Sequence, residues 1–204
     1  MNRNREKGGD EKPVVILIGT EGKKTEPLYF NIVIDRKRIR QRANVQVIGS
    51  LGQHKQLIDE IVIKRAMKAK EVGIGEGDVE CWAVCDKDRM NCTLRELEEY
   101  AASKGVILAF SNPCFELFIL QHLTLSASNA DFAQLKQKIN TELRKIRRGL
   151  IYDKTDLSWL DDLIDLDPNI LIRAIQNCRN MEDADNTPYL TVHHLLKRLL
   201  EMAS

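Results

Sequence analysis

The chain has 204 residues, with 31 Lys and Arg against 30 Asp and Glu, a net charge of +1, 43% hydrophobic and 30% charged residues. That balance is ordinary for a soluble globular domain, and the length suits one core with room for a small appended part. A globally basic nucleic-acid binder is excluded, and the longest apolar run, Val14 to Ile18, is far too short to span a bilayer.

Residues 1–12 (MNRNREKGGDEK) read as a charged, disordered leader with no apolar core, so no signal peptide is expected. Pro13 then opens VVILI, which ends at Gly19. A run apolar on every side and bounded by Pro and Gly suits a central parallel strand buried on both faces. Thr25 and Pro27 start a helix carrying Leu28, Phe30, Ile32 and Val33. Asn44 to Ser50 reads as a second strand, and Leu57, Ile58, Ile61 and Val62 recur at helical spacing after Gln53. Beyond the glycines at 73, 75 and 77, VECWAVCDKD is a third strand ending in polar residues. Thr93 and Glu96 form a capping box for the next helix, and VILAF, after Gly105, is a fourth strand. Asn112-Pro113 opens CFELFILQHL, an apolar helix.

This β-α alternation predicts an α/β fold: a mostly parallel sheet of about four strands flanked by helices, over residues 13–123. With no strand evident after Phe110, residues 124–204 read as a helical C-terminal extension packed on that core. The last helix is expected to start at Thr187-Pro188.

Chemistry in an open parallel sheet gathers where the strands end at their carboxyl side. Strand one is followed by Glu21 and Glu26, strand three ends in Asp86-Lys87-Asp88, and strand four leads to Ser111, Asn112 and Glu116. Two residues apart, Asp86 and Asp88 would project on the same side of an extended backbone. Carboxylates aimed together repel unless a cation sits between them, and an all-oxygen set favours Mg²⁺ or Mn²⁺. Such an ion points to phosphoryl-transfer chemistry. The bland alternative is a turn acid at D-x-D and a buried Glu116 satisfied by a neighbouring Lys or Arg.

These residues resemble something known. A strand ending in Glu-Gly, then helix, strand, helix and a strand ending in D-x-D, is similar to the Toprim arrangement of topoisomerases, primases and OLD-type nucleases. IGTEGKKTEPLYF, AVCDKDRM and SNPCFELFILQHL together resemble the RloB-like family, which is associated with restriction-modification loci and bacterial phage defence. A weaker match lies around Tyr152-Asp-Lys154 and TPYLTVHHLLKRL, and Thr20 stands where the family often shows Cys. The resemblance implies a Toprim-like fold with Glu21, Asp86 and Asp88 as metal-associated acids. It gives Glu21 a part in proton transfer and puts Glu26 and Glu116 on further motif positions. It also implies nuclease action on DNA or RNA, with a partner protein such as an ATPase of a defence locus as a candidate. The alternative is a non-catalytic subunit of a restriction or defence complex that binds nucleic acid or a partner.

GTEGKKT also resembles a P-loop, but only two residues separate Gly19 from Gly22, and Lys24 intervenes between Lys23 and Thr25. That loop is too short to wrap a phosphate in the Walker manner. Lys23 and Lys24 either attract phosphate at a helix N-terminus or form a solvated pair. Arg89, directly after D-x-D, is the best single candidate for meeting a scissile phosphate, with Asn112 at the same edge. Residues 36–42, including Arg36 and Arg38, hold five basic side chains; residues 134–148 hold six against one acid; residues 153–167 hold six Asp and one Lys. The basic runs either follow a nucleic-acid backbone or pair with the acidic segment.

His54, His122, His193 and His194 show no ligand spacing; His122 reads as a packed core residue and His54 as a weak site candidate. Trp82 and Trp159 read as core. Five cysteines without a C-x-x-C pair read as reduced thiols of a cytoplasmic protein, and Cys114 near a helix N-terminus is a candidate for a lowered thiol pKa.

Overall fold

The computed structural model describes residues 13–88, 90–126, 130–182 and 188–203. The elements in order are β1 (Val14–Thr20), α1 (Thr25–Arg36), β2 (Ala43–Ile48), α2 (His54–Val72), β3 (Val79–Asp86), α3 (Leu94–Ser103), β4 (Ile107–Asn112) and α4 (Phe115–Leu123). They continue with α5 (Phe132–Ile146), α6 (Ser158–Leu166), α7 (Ile170–Cys178), β5 (Tyr189–Leu190) and α8 (Val192–Ala203). The strand order is β2-β1-β3-β4-β5, parallel except for β5. The fold is thus the expected α/β, Toprim- or Rossmann-like arrangement.

β1 is apolar from Val14 to Ile18 because both of its faces are covered. Val15 and Leu17 join the core formed with α2 and α3, while Ile16 and Ile18 join that formed with α1 and α4. Gly19 sits where a Cβ would come within 2.5 Å of the Ile61 side chain, so a bare backbone lets α2 pack close to β1. From β1 the chain goes to β2 on one side and then crosses to β3 on the other. The carboxyl ends of β1 and β3 therefore flank the switch point of the sheet, where a crevice forms.

The last third shares the core of the first part. Leu135, Ile139, Trp159, Leu171 and Leu195 belong to the same apolar cluster as Ile16 and Phe118. The expectation of no strand beyond Phe110 is corrected by β5, which pairs Tyr189 and Leu190 with Asn112 and Ser111. Two residues are too few for any periodicity to register. Thr191 prolongs the contact: its N–H donates to the Phe110 carbonyl and its hydroxyl accepts from the Phe110 N–H, both at 2.9 Å. The final helix consequently starts at Val192, later than expected. Thr187 and the 1–12 leader lie outside the described residues.

The capping box of α3 is present, with the Thr93 hydroxyl accepting from the Glu96 N–H at 3.2 Å and Glu96 accepting from the Thr93 N–H at 2.7 Å. Thr93→Ala is expected to lower unfolding free energy by about 1 kcal/mol, read from the urea midpoint.

Candidate functional site

The site begins where β1 ends. The Thr20 hydroxyl donates to the Gly22 carbonyl at 2.8 Å, and the Glu21 N–H donates to the Val84 carbonyl at 3.2 Å, which ties the turn to β3. The Glu21 carboxylate accepts from the His54 backbone N–H at 2.7 Å, at the first residue of α2. The His54 ring lies 3.7 Å from the same oxygen and donates from Nε2 to the Asp86 carbonyl at 3.1 Å. His54 thus bridges the ends of β1 and β3. It does so with φ +48°, following Ser50 at +64°, a left-handed backbone that non-glycine residues adopt at a cost on the order of 1 kcal/mol each.

Asp86 closes β3 on the floor of the crevice, where its surroundings are protein and other acids. Burial pushes its carboxyl well above the usual carboxylate range, and Glu26, Glu116 and Glu21 push the same way, against a hydrogen bond from the Phe115 N–H. Glu26 stands in the first turn of α1, and its carboxylate lies over Gly22 so closely that a Cβ there would collide with it. Burial raises the Glu26 carboxyl, with Glu116 adding to it. Burial likewise raises Glu21, partly offset by the His54 N–H and ring and the Asp86 N–H.

Glu116, in the first turn of α4, is 2% exposed. Its Oε1 accepts from the Tyr152 hydroxyl at 3.1 Å and pairs with Lys154 Nζ at 3.1 Å. The Lys154 carbonyl accepts from the Thr25 hydroxyl at 3.2 Å, and its ammonium lies 4.0 Å from the centre of the Phe132 ring. A segment distant in sequence is in this way laid across the acids.

Two adjoining clefts result. The smaller, about 270 Å³, is lined by Lys23, Lys24, Glu26, Asp86, Glu116 and Lys154, among others. The larger, about 560 Å³, shares Asp86, Glu116 and Lys154 and adds Asp88, Cys114 and Phe132. Three of the carboxyls gathered here, those of Glu21, Glu26 and Asp86, are raised in proton affinity, and oxygen donors of this kind are what a hard divalent cation takes.

A family model described as RloB-like protein matches residues 16–199, from β1 into α8. The chain belongs to the RloB-like family. No curated protein and no solved structure matches the chain.

Within this RloB-like protein the acids expected from sequence are distributed unequally. Glu21, Glu26, Asp86 and Glu116 converge. Asp88 borders the larger cleft but is exposed, because β3 ends at Asp86 and the chain turns, with the Met90 N–H donating to the Lys87 carbonyl. The extended backbone assumed across D-x-D therefore stops one residue too early for the two aspartates to sit side by side. Asn112 ends β4 and pairs with Tyr189, and Pro113 and Cys114, its successors, line the cleft. Arg89 lies outside the described residues.

Arg36 is directed elsewhere: it pairs with Asp161 and Asp165 of α6. Arg147 approaches Asp162 at 4.0 Å, so the acidic run meets its cations from α1 and from the end of α5. Arg38 is exposed in the turn after α1. The Cys114 thiol is pushed up, by burial and then by Glu116 and Asp86, and the lowered pKa expected at its helix N-terminus is not found. His122, Trp82 and Trp159 are buried core residues, as expected. The groups at the site that sequence reasoning undervalued are His54, named there as a weak candidate, and Tyr152 and Lys154, whose only sequence signal was the weak YDK match.

Proposed function

We propose that this RloB-like protein is a divalent-metal-dependent nuclease that hydrolyses DNA or RNA phosphodiesters in bacterial phage defence, acting in the cytoplasm. The observation that carries this reading is the convergence of Glu21, Glu26, Asp86 and Glu116 at the switch point of a parallel sheet, with three of them raised in pKa. Four acids kept this close are stable as anions only beside a cation, and Lys154 supplies a single charge.

Asp86 and Glu21, with Asp88 from the cleft margin, would hold Mg²⁺ or Mn²⁺. When bound, such an ion neutralises the acids, polarises the phosphate and supports an attacking water. Glu21, fixed by the His54 N–H and raised by burial, is suited to accept and return a proton at its carboxylate. Lys23, Lys24 and Lys154 on the rim meet the phosphate backbone, a contact that carries no sequence information. A defence-locus ATPase remains the candidate partner protein.

A cleavage assay on mixed DNA and RNA with Mg²⁺ or Mn²⁺ tests the reading. Cleavage is expected, blocked by EDTA and absent from the Asp86→Ala, Asp88→Ala double variant. Undiminished metal-dependent cleavage by that folded variant overturns the assignment.

One observation favours a second reading, a non-catalytic subunit that binds nucleic acid or a partner: the Lys154 ammonium already pairs with Glu116 in the cleft. Under that reading Lys154→Met abolishes ligand binding and no variant has a cleavage activity to lose.

A further inference from the structure

We propose that Glu182, His193 and His194 form a transition-metal site of the type that takes Zn²⁺, separate from the acidic clefts. His193 and His194 occupy the first turn of α8, where their rings lie obliquely against each other, with centroids 4.2 Å apart and planes inclined by 36°. Both face the same carboxylate. His193 Nε2 is 2.8 Å from one Glu182 oxygen and His194 Nε2 is 3.6 Å from the other.

One donor atom from each of the three residues lies within 4.8 Å of the other two. Zinc bonds of roughly 2.0–2.1 Å at tetrahedral angles set two donors about 3.3 Å apart. His193 and Glu182 therefore need to part slightly, and no pair of donors has to close by more than roughly 1.5 Å. Two imidazoles and a carboxylate are the donor set of an open zinc site, whereas Mg²⁺ prefers oxygen alone.

The surroundings fix one of the two rings. His193 is 2% exposed, so its ring is held in place by the packing around it. Its Nδ1 is buried without a partner among the described residues. An outer hydrogen bond at that nitrogen ordinarily orients a metal-bound histidine, and its loss costs about 10–100-fold in affinity. Affinity is therefore expected below that of a fully supported zinc site.

The ligands come from two legs of the chain. Glu182 follows Met181, whose carbonyl accepts from the Leu190 N–H at 2.7 Å, and the histidines lie just past β5. Metal binding would staple the end of the α7 segment to α8. The ion is reachable, because Glu182 and His194 are exposed on one side, and His194 also lines a hollow of about 510 Å³ beside Val106 and Leu108.

The test uses the full chain, stripped with EDTA and titrated with Zn²⁺ or Co²⁺ in excess Mg²⁺. About one equivalent of Zn²⁺ is expected, with the visible absorption of four-coordinate Co²⁺. His194→Ala and Glu182→Gln, both on exposed side chains, should each weaken Zn²⁺ binding at least tenfold, and Asp86→Asn should leave it unchanged. No stoichiometric Zn²⁺ binding, or binding that survives His194→Ala and Glu182→Gln, overturns the proposal. So does binding that is lost in Asp86→Asn, which assigns the ion to the acidic clefts. None of these readouts involves cleavage, so the proposal stands or falls apart from the nuclease reading.

Discussion

Asp86→Asn is expected to abolish cleavage and, in the absence of divalent ions, to make the protein more stable above neutral pH. The two effects share one cause. In the unfolded chain Asp86, Glu21 and Glu26 ionise near ordinary carboxylate values, whereas the native fold holds all three upward, chiefly by burial. Between the ordinary value and the raised one, the native state binds more protons than the unfolded state. Stability is therefore highest below the ordinary carboxylate range and falls as pH rises through the raised values. Asn keeps an acceptor for the Phe115 N–H and removes the charge that the other acids oppose. Each pKa unit of elevation corresponds to about 1.4 kcal/mol, and each 1 kcal/mol to about 2–4 °C in Tm for a chain of this size.

Melting curves from pH 5 to 8.5 check this expectation, with and without Mg²⁺. Wild-type protein should lose Tm as pH rises without metal and recover it with Mg²⁺. The variant should show a shallower slope and little response to Mg²⁺. An identical slope in both proteins would mean that Asp86 ionises freely in the native state.

Phe118→Ala is expected to cost about 3–5 kcal/mol at every pH. Phe118 lies edge-on to Tyr29, Phe115 and His122, with ring centroids at 5.3, 5.6 and 5.2 Å. Truncation forfeits the buried ring, leaves a cavity and removes these edge contacts, out of a total stability of about 5–15 kcal/mol. His122 depends on the same packing. Its Nδ1 donates to the Phe118 carbonyl at 3.1 Å, its Nε2 accepts from the Tyr29 hydroxyl at 2.9 Å, and burial lowers its pKa to about 4. Because Phe115 both joins this cluster and donates its N–H to Asp86, the packing also seats the acidic edge. A falling urea midpoint at constant slope, the same at pH 5.5 and pH 8, is the signature.

What sequence made legible was local or topological. Ile16, Leu17 and Ile18 announce a strand covered on both faces, Thr93 and Glu96 announce a helix start, and the strand order then brings Glu21 and Asp86 to one edge. What stayed hidden depends on partners far apart in the chain. Nothing near Lys154 indicates that its ammonium reaches Glu116, nothing near Arg36 names Asp161, and His193-His194 acquires a third member only through Glu182. Asp88 was misplaced for a different reason: period-two reasoning holds only while the strand continues, and a turn one residue earlier cancels it.

The reach of Tyr152 and Lys154 to Glu116 has a consequence for biosynthesis. A ribosome that has delivered residue 123 has made Glu21, Glu26, Asp86 and Glu116, but 31 residues separate that point from Lys154. At 5–20 residues per second the interval is roughly 2–6 s. During it Glu26, Asp86 and Glu116 repel one another without the cation that the finished chain places among them. The nascent protein therefore emerges with its acidic edge unassembled, and only a chain translated well beyond the four parallel strands can complete it.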